Sequence, residues 1–158
     1  MLLLDGEAQD AMFTTTVTVE AGRAAGIGLR LDTHGRGLAV ILDAHAGTVG
    51  VVELESASTP ATAATLATGV VWQTLAERMA PVRPGVPVPL RIVVARSVVD
   101  VFIAEELMLS VVAEGHGAGR FALIASEARV RFDSMRAMRL ALPAPVMGTV
   151  SGAAAGVV

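Results

Sequence analysis

The stretch Arg91 to Ala113, RIVVARSVVDVFIAEELMLSVVA, constrains the fold more than any other part of the chain. Leu90, Ile92 and Val94 alternate with Arg91, Val93 and Ala95, and Val99, Val101 and Ile103 alternate with Val98, Asp100 and Phe102. Leu107, Leu109 and Val111 continue the pattern. Successive side chains of an extended chain point to opposite faces, so period-two spacing in runs this short predicts strands with one buried face. Three such strands in succession predict an antiparallel sheet.

The same rhythm recurs elsewhere. Phe13, Thr15, Val17 and Val19 share one face of a predicted first strand, with Thr14, Thr16, Thr18 and Glu20 on the other. Ala25 to Leu31 form a second strand, Leu38 to Asp43 a third and Val49 to Leu54 a fourth, separated by turns such as Asp32 to Arg36. Ser56 to Val71 holds five alanines and four threonines, is punctuated by Pro60 and Gly69, and lacks alternation, so it is expected to be a loop. A helix over Ala61 to Met79 is the alternative that its alanine content suggests, opposed by its threonines and glycine. Strands then resume at Leu75 to Val82 and close with Phe121 to Ala125 and Ala128 to Leu140. In the last of these the apolar spacing slips from two to three between Phe132 and Met135, which predicts a bulge near Asp133 and Ser134. About ten short strands without a helix predict an all-β, two-sheet antiparallel β-sandwich over residues 1–142, with 143–158 as a flexible tail.

Composition narrows the function classes. A chain of 158 residues fits one domain. Hydrophobic residues make up 53% and charged residues 17%, which opposes disorder, and no apolar run approaches the roughly 20 residues that cross a bilayer as a helix. No membrane partner is expected. The opening MLLL is followed by Asp5 and Glu7 and lacks the basic start of a secretory signal, so the cytoplasm is the default compartment. All 12 basic residues are scattered arginines under a net charge of −3, which gives no positive stripe for phosphates, so no nucleic-acid partner is expected. The chain has no cysteine, so disulfides and thiolate metal sites are excluded.

No catalytic residue is assigned. Glu53 and Glu55 are the candidates for such a role, because two positions apart on a strand places both carboxylates on one face about 7 Å apart. A pair of exposed carboxylates at a strand end is the plainer reading. Glu105 and Glu106 fall at a hairpin tip, where a solvated turn is the plainer reading than sugar or calcium contact, and no calcium-loop motif is present. His34 and His45 bracket one strand, on the order of 20 Å apart, too far to share a metal ion. His116 lies in a glycine-rich turn, and all three histidines read as turn residues. Neither a metal site nor a cofactor is expected. Trp72 is the one large aromatic outside the strand pattern and the candidate carbohydrate platform, although core or interface packing is the commoner role. Val93, Val98, Phe102 and Val112 fall on the face opposite the core positions, so that face is expected to be an interface, covered by a loop or a partner.

Three segments, GIGLRLDTHGRGLAVILDAHAGTVGVVEL, PLRIVVARSVVDVFIAEELMLSVVA and GRFALIASEARVRFDSMRAMRL, resemble the carboxy-terminal β-sandwich of glycoside hydrolase family 32, within the concanavalin A-like superfamily. Arg96 to Phe102 resembles that module's RSSVEVF-like strand, with Asp100 where glutamate is usual. The resemblance spans Phe13 to Leu140. It implies a concanavalin A-like jelly roll that accompanies a catalytic propeller in invertases, levanases and inulinases. The catalytic motifs of that propeller, resembling WMNDPNG, RDP and EC, do not occur in this chain. The resemblance therefore implies a non-catalytic accessory module that stabilises a catalytic propeller domain or self-associates, with fructan or another carbohydrate as the associated sugar. A free-standing carbohydrate-binding, lectin-like sandwich is the alternative, and a sandwich hydrolase using Glu53 and Glu55 is a third.

Overall fold

The computed structural model describes residues 2–55 and 71–143, and every described element is a β-strand or a turn. The strands are β1 (Leu2–Ala8), β2 (Ala11–Leu31), β3 (Gly37–Asp43), β4 (Thr48–Glu55), β5 (Val71–Met79), β6 (Val88–Ala95), β7 (Val98–Ile103), β8 (Glu106–Val112) and β9 (Gly119–Arg139). All pairings are antiparallel, in the order β5-β4-β3-β2-β6-β7-β8, with β9 along the other edge of β2 and β1 on β9.

One long strand makes two layers from this order. At about 3.3 Å per residue, the 21 residues of β2 would extend about 66 Å if straight, several times the radius of gyration of about 15 Å expected for a chain of this size. So β2 bends. Its first half, Ala11 to Val17, pairs with β6, and its second half, Ala24 to Leu29, pairs with β3. The equally long β9 follows it through the bend. The register slips between Val19 and Ala21, and Gly22 follows at φ +93°. A Cβ at Gly22 would lie 1.9 Å from the Glu127 carbonyl oxygen, so only glycine fits the crossing. The two strands expected from Phe13 and from Ala25 are thus one strand, as are those expected from Phe121 and from Ala128. Glycine bends the ribbon here without turning it back.

The inner faces carry the alternation read from the sequence except in β8, where a register slip against β7 buries Met108 and leaves Leu107 exposed. Ile27, Leu29, Leu38, Val40, Leu42, Val49 and Val51 of one layer meet Phe13, Val17, Leu90, Ile92, Val94, Val99 and Val101 of the other in a single buried core. Phe13 and Phe121 stack at 4.4 Å with a 55° tilt within it. β3 is buried on both faces: Ala39 and Ile41 join Val52, Leu54 and Leu31 in a second buried cluster on the outer side of the first layer. This accounts for its unbroken apolar run. The layers also touch at their open side, where Arg78 donates to the Met108 carbonyl at 3.3 Å.

Three expectations change. β5 begins at Val71, earlier than Leu75, and ends at Met79, so residues 71–79 are a strand and not part of a helix. Val82 lies beyond β5 yet is fully buried. β1 has no counterpart in the expected strands. The expected bulge near Asp133 is present: Thr14 pairs with Arg136 and Thr16 with Asp133, leaving Ser134 and Met135 opposite Thr15, with Ser134 at φ 53°. The Ala/Thr segment at 56–70 and the tail from 144 onward lie outside the described residues.

Candidate functional site

The structure separates the carboxylate pair from the tryptophan. Glu53 and Glu55 follow Val49 and Val51 on the inner face of β4. Trp72 lies on β5 opposite Leu54, whose side chain belongs to the outer cluster. Directly opposed residues share a face, so the sheet stands between Trp72 and the glutamates. Trp72 therefore belongs to a strand, where the sequence pattern left it outside one, and it is partly exposed.

Glu53 has a partner that the sequence did not announce. His116 Nε2 lies 3.3 Å from Glu53 Oε1, so this histidine does more than fill a turn. The loop carrying it is held by Arg30, whose side chain is 1% exposed. Arg30 donates to the carbonyls of Gln9 at 2.7 Å, His116 at 3.2 Å and Arg96. One buried guanidinium thus ties the β1–β2, β6–β7 and β8–β9 connections together at one end of the sandwich. Burial lowers its pKa, opposed by the charge of Asp10 3.5 Å away. Arg30 sits at φ 53° in a register slip of β2, which turns its side chain away from the simple alternation that sequence reading assumes. His34 and His45 occupy the turns at opposite ends of β3, as their spacing predicted. No group of three metal-ligating side chains occurs among the described residues.

The outer face of the second layer holds the most developed arrangement of polar groups. Register sets Phe102 opposite Arg91, Val93 opposite Asp100 and Val98 opposite Val112. The four residues expected to form an apolar interface do share this face, but Arg91, Asp100 and Ser110 interrupt it, with Ser110 donating to Asp100 at 2.6 Å. Val112 is exposed, while Val93, Val98 and Phe102 are half-buried.

Arg91 organises the face. Its guanidinium carbon lies 4.0 Å from the Phe102 ring centroid, and its Nη2 lies 2.8 Å from Glu105 Oε2. Glu105 is presented by a two-residue turn in which Ala104 and Glu105 have φ of 49° and 67°, the left-handed pair that a tight hairpin requires. Beside Arg91 opens a cleft of about 290 Å³ lined by Thr14, Thr16, Glu105, Ser134 and Arg136. Thr14 pairs with Arg91 on β6 and with Arg136 on β9, so the three side chains form one row across three strands. The buried Thr15 hydroxyl donates to the Asp133 carbonyl at 3.0 Å and pins the bulge that presents Ser134. Arg91 Nε is buried with no hydrogen-bond partner. A smaller cleft of about 150 Å³ near Gly6 and Arg139 is floored by the core pair Phe13 and Phe121 and offers fewer polar groups.

No family model matches the sequence, and no curated protein matches it. Solved structures do. Carbohydrate-binding module CBM66 from Bacillus subtilis superimposes with a TM-score of 0.73 at 16% identity, covering 85% of this chain and 78% of that one. The Caenorhabditis elegans galectin LEC-6 gives 0.60 at 13% identity, covering 87% and 89%. Sheep galectin-11, in complex with glycerol, gives 0.58 at 11% identity, covering 86% and 94%. At such identities the likeness is one of fold. The chain has the two-sheet antiparallel jelly-roll sandwich that these proteins share.

Proposed function

We propose that this chain is a lectin-like carbohydrate-binding sandwich whose site is the cleft beside Arg91. The observation that carries the reading is the fixed guanidinium: Arg91 is clamped between the Phe102 ring and the Glu105 carboxylate at the wall of a cleft that also holds three hydroxyls, from Thr14, Thr16 and Ser134. Sugars present closely spaced hydroxyls, and a site for them needs oriented donors and acceptors on a rigid frame. Strand-borne side chains supply that frame. The fold likeness to a module named for carbohydrate binding, and to galectins, supports the same reading and favours it over the accessory-module reading.

The narrower reading, a companion module to a fructan- or sucrose-hydrolysing propeller, uses the same fold. A propeller or a second copy of the chain would dock on the face of Val93, Val98, Phe102 and Val112, where Arg91 and Asp100 would also have to be satisfied. Glu53, paired with His116, and Glu55 are not expected to hydrolyse a glycoside. Trp72 remains a separate candidate for sugar contact, on the first layer.

Isothermal titration of the wild type against neutral and acidic oligosaccharides, fructans included, tests the reading. Binding by the wild type that is lost in Arg91→Gln supports it. Binding abolished by Trp72→Ala and untouched by Arg91→Gln would move the site to the first layer.

A further inference from the structure

We propose that the cleft takes an acidic saccharide, a uronate or another sugar bearing an anionic group, and that Arg136 meets the charge; this rests on the carbohydrate reading above. Arg91 and Arg136 flank Thr14 in register on the same outer face, one strand to either side. Neighbouring strands lie about 4.8 Å apart, so the two arginine backbones are on the order of 10 Å apart, wide enough for one sugar ring between the side chains.

Their charges are not equally met. Arg91 is paired with Glu105 at 2.8 Å. The nearby Asp133 carboxylate is taken by Arg131 Nε, also at 2.8 Å, and Glu20 reaches the same arginine at 3.6 Å. Among the described residues no carboxylate lies within salt-bridge distance of Arg136. The cleft lining therefore holds two guanidinium groups and one carboxylate, in a protein whose net charge is −3. The positive excess is local.

A guanidinium fork matches a carboxylate geometrically, and such charge-assisted bonds are about twice as strong as neutral ones. A uronate placed over Thr14 would set its carboxylate on Arg136 while its ring hydroxyls meet Thr14, Thr16 and Ser134. Arg91 Nη groups would close the other side. A single uncompensated guanidinium does not track a phosphate backbone, so the cleft suits one charged sugar in preference to a polyanion.

The test compares trigalacturonate with its carboxyl-reduced counterpart, within a panel of glucuronate-, mannuronate- and sialate-containing oligosaccharides, by isothermal titration. At least one acidic sugar should bind about tenfold or more tighter than its neutral counterpart, a preference that weakens with salt. Arg136→Gln should remove the preference, and Arg136→Lys should keep part of it. Arg136 is exposed, so both variants should melt like the wild type. Equal affinity for the acidic and reduced sugars, or a preference that survives Arg136→Gln, would overturn this inference and leave the carbohydrate reading standing. Equally tight binding of an oligonucleotide would overturn it too, in favour of nonspecific charge. No binding of any sugar, neutral or acidic, would overturn both.

Discussion

Arg91 lies across the face of Phe102, its guanidinium carbon 4.0 Å from the ring centroid, because the β6–β7 register sets the two residues directly opposite each other. In a long, mobile side chain this contact, together with the Glu105 ion pair at 2.8 Å, fixes the donor before any ligand arrives. Phe102 is thus a support for Arg91. Phe102→Ser should weaken sugar binding while lowering stability by about 1.5 to 2.5 kcal/mol, the loss of half-buried ring area together with the cation–π contact. Paired titrations and urea melts check this; unchanged affinity would mean that Arg91 needs no support.

Arg30 is the structural counterpart of Arg91 at the end of the sandwich. Its buried fork serves three backbone carbonyls, and Arg30→Ala would strand all of them with Asp10 beside them. The expected loss is about 3 to 5 kcal/mol, with Arg30→Lys failing to restore it because one ammonium cannot reproduce the fork. Urea melts of both variants provide the measurement. A wild-type midpoint in either would contradict the hub.

Two turn aspartates make stability depend on acid. Burial raises the pKa of Asp32, but hydrogen bonds from the backbone of Arg36, the Arg36 side chain and the backbone of His34 outweigh it, and the net value falls below 3.8. Asp43 behaves likewise, with burial outweighed by bonds from Ala46, Arg23 and His45. A carboxyl whose folded pKa lies below its unfolded value stabilises above the unfolded pKa, and that contribution fades as pH falls through the folded one. Asp32→Asn and Asp43→Asn should therefore lower the midpoint at pH 7 and converge with the wild type near pH 2. A constant difference across that range would show that the aspartates act through shape alone.

Val101 is fully buried, so Val101→Asp should prevent folding by burying an unpaired charge. Phe132 pairs with Val17 on the inner side but is only half-buried, packed at the margin of the core. The full core penalty that alternation alone would suggest for Phe132→Ala therefore shrinks to about 1.5 to 2.5 kcal/mol. Circular dichroism and urea melts separate the two cases.

The strands β6 and β7 were legible in the sequence because alternation of β-branched residues reports faces directly, whereas in β8 the register slip opposite Val101 and Phe102 buries Met108 and exposes Leu107, against the alternation of Leu107, Leu109 and Val111. The bulge at Asp133 was legible for the same reason. The length of β2 was not, since a glycine that bends a paired ribbon at φ +93° reads like one that ends a strand. The cleft was less legible still. Thr14, Arg91 and Arg136 are far apart in the chain and meet only through register, and Arg91 looks like any outward residue of an alternating strand. Arg30 and the Glu53–His116 pair were hidden by backbone geometry and loop placement that no local pattern encodes.

Backbone amide NMR of the labelled protein, titrated with the neutral and acidic oligosaccharide panel, locates the sugar site residue by residue. Saturable shifts are expected at Thr14, Thr16, Arg91, Glu105 and the bulge at Ser134 to Arg136 only, with Glu53 and Trp72 unmoved. No shift with any sugar, or shifts centred on Trp72 or Glu53, would contradict the cleft as that site.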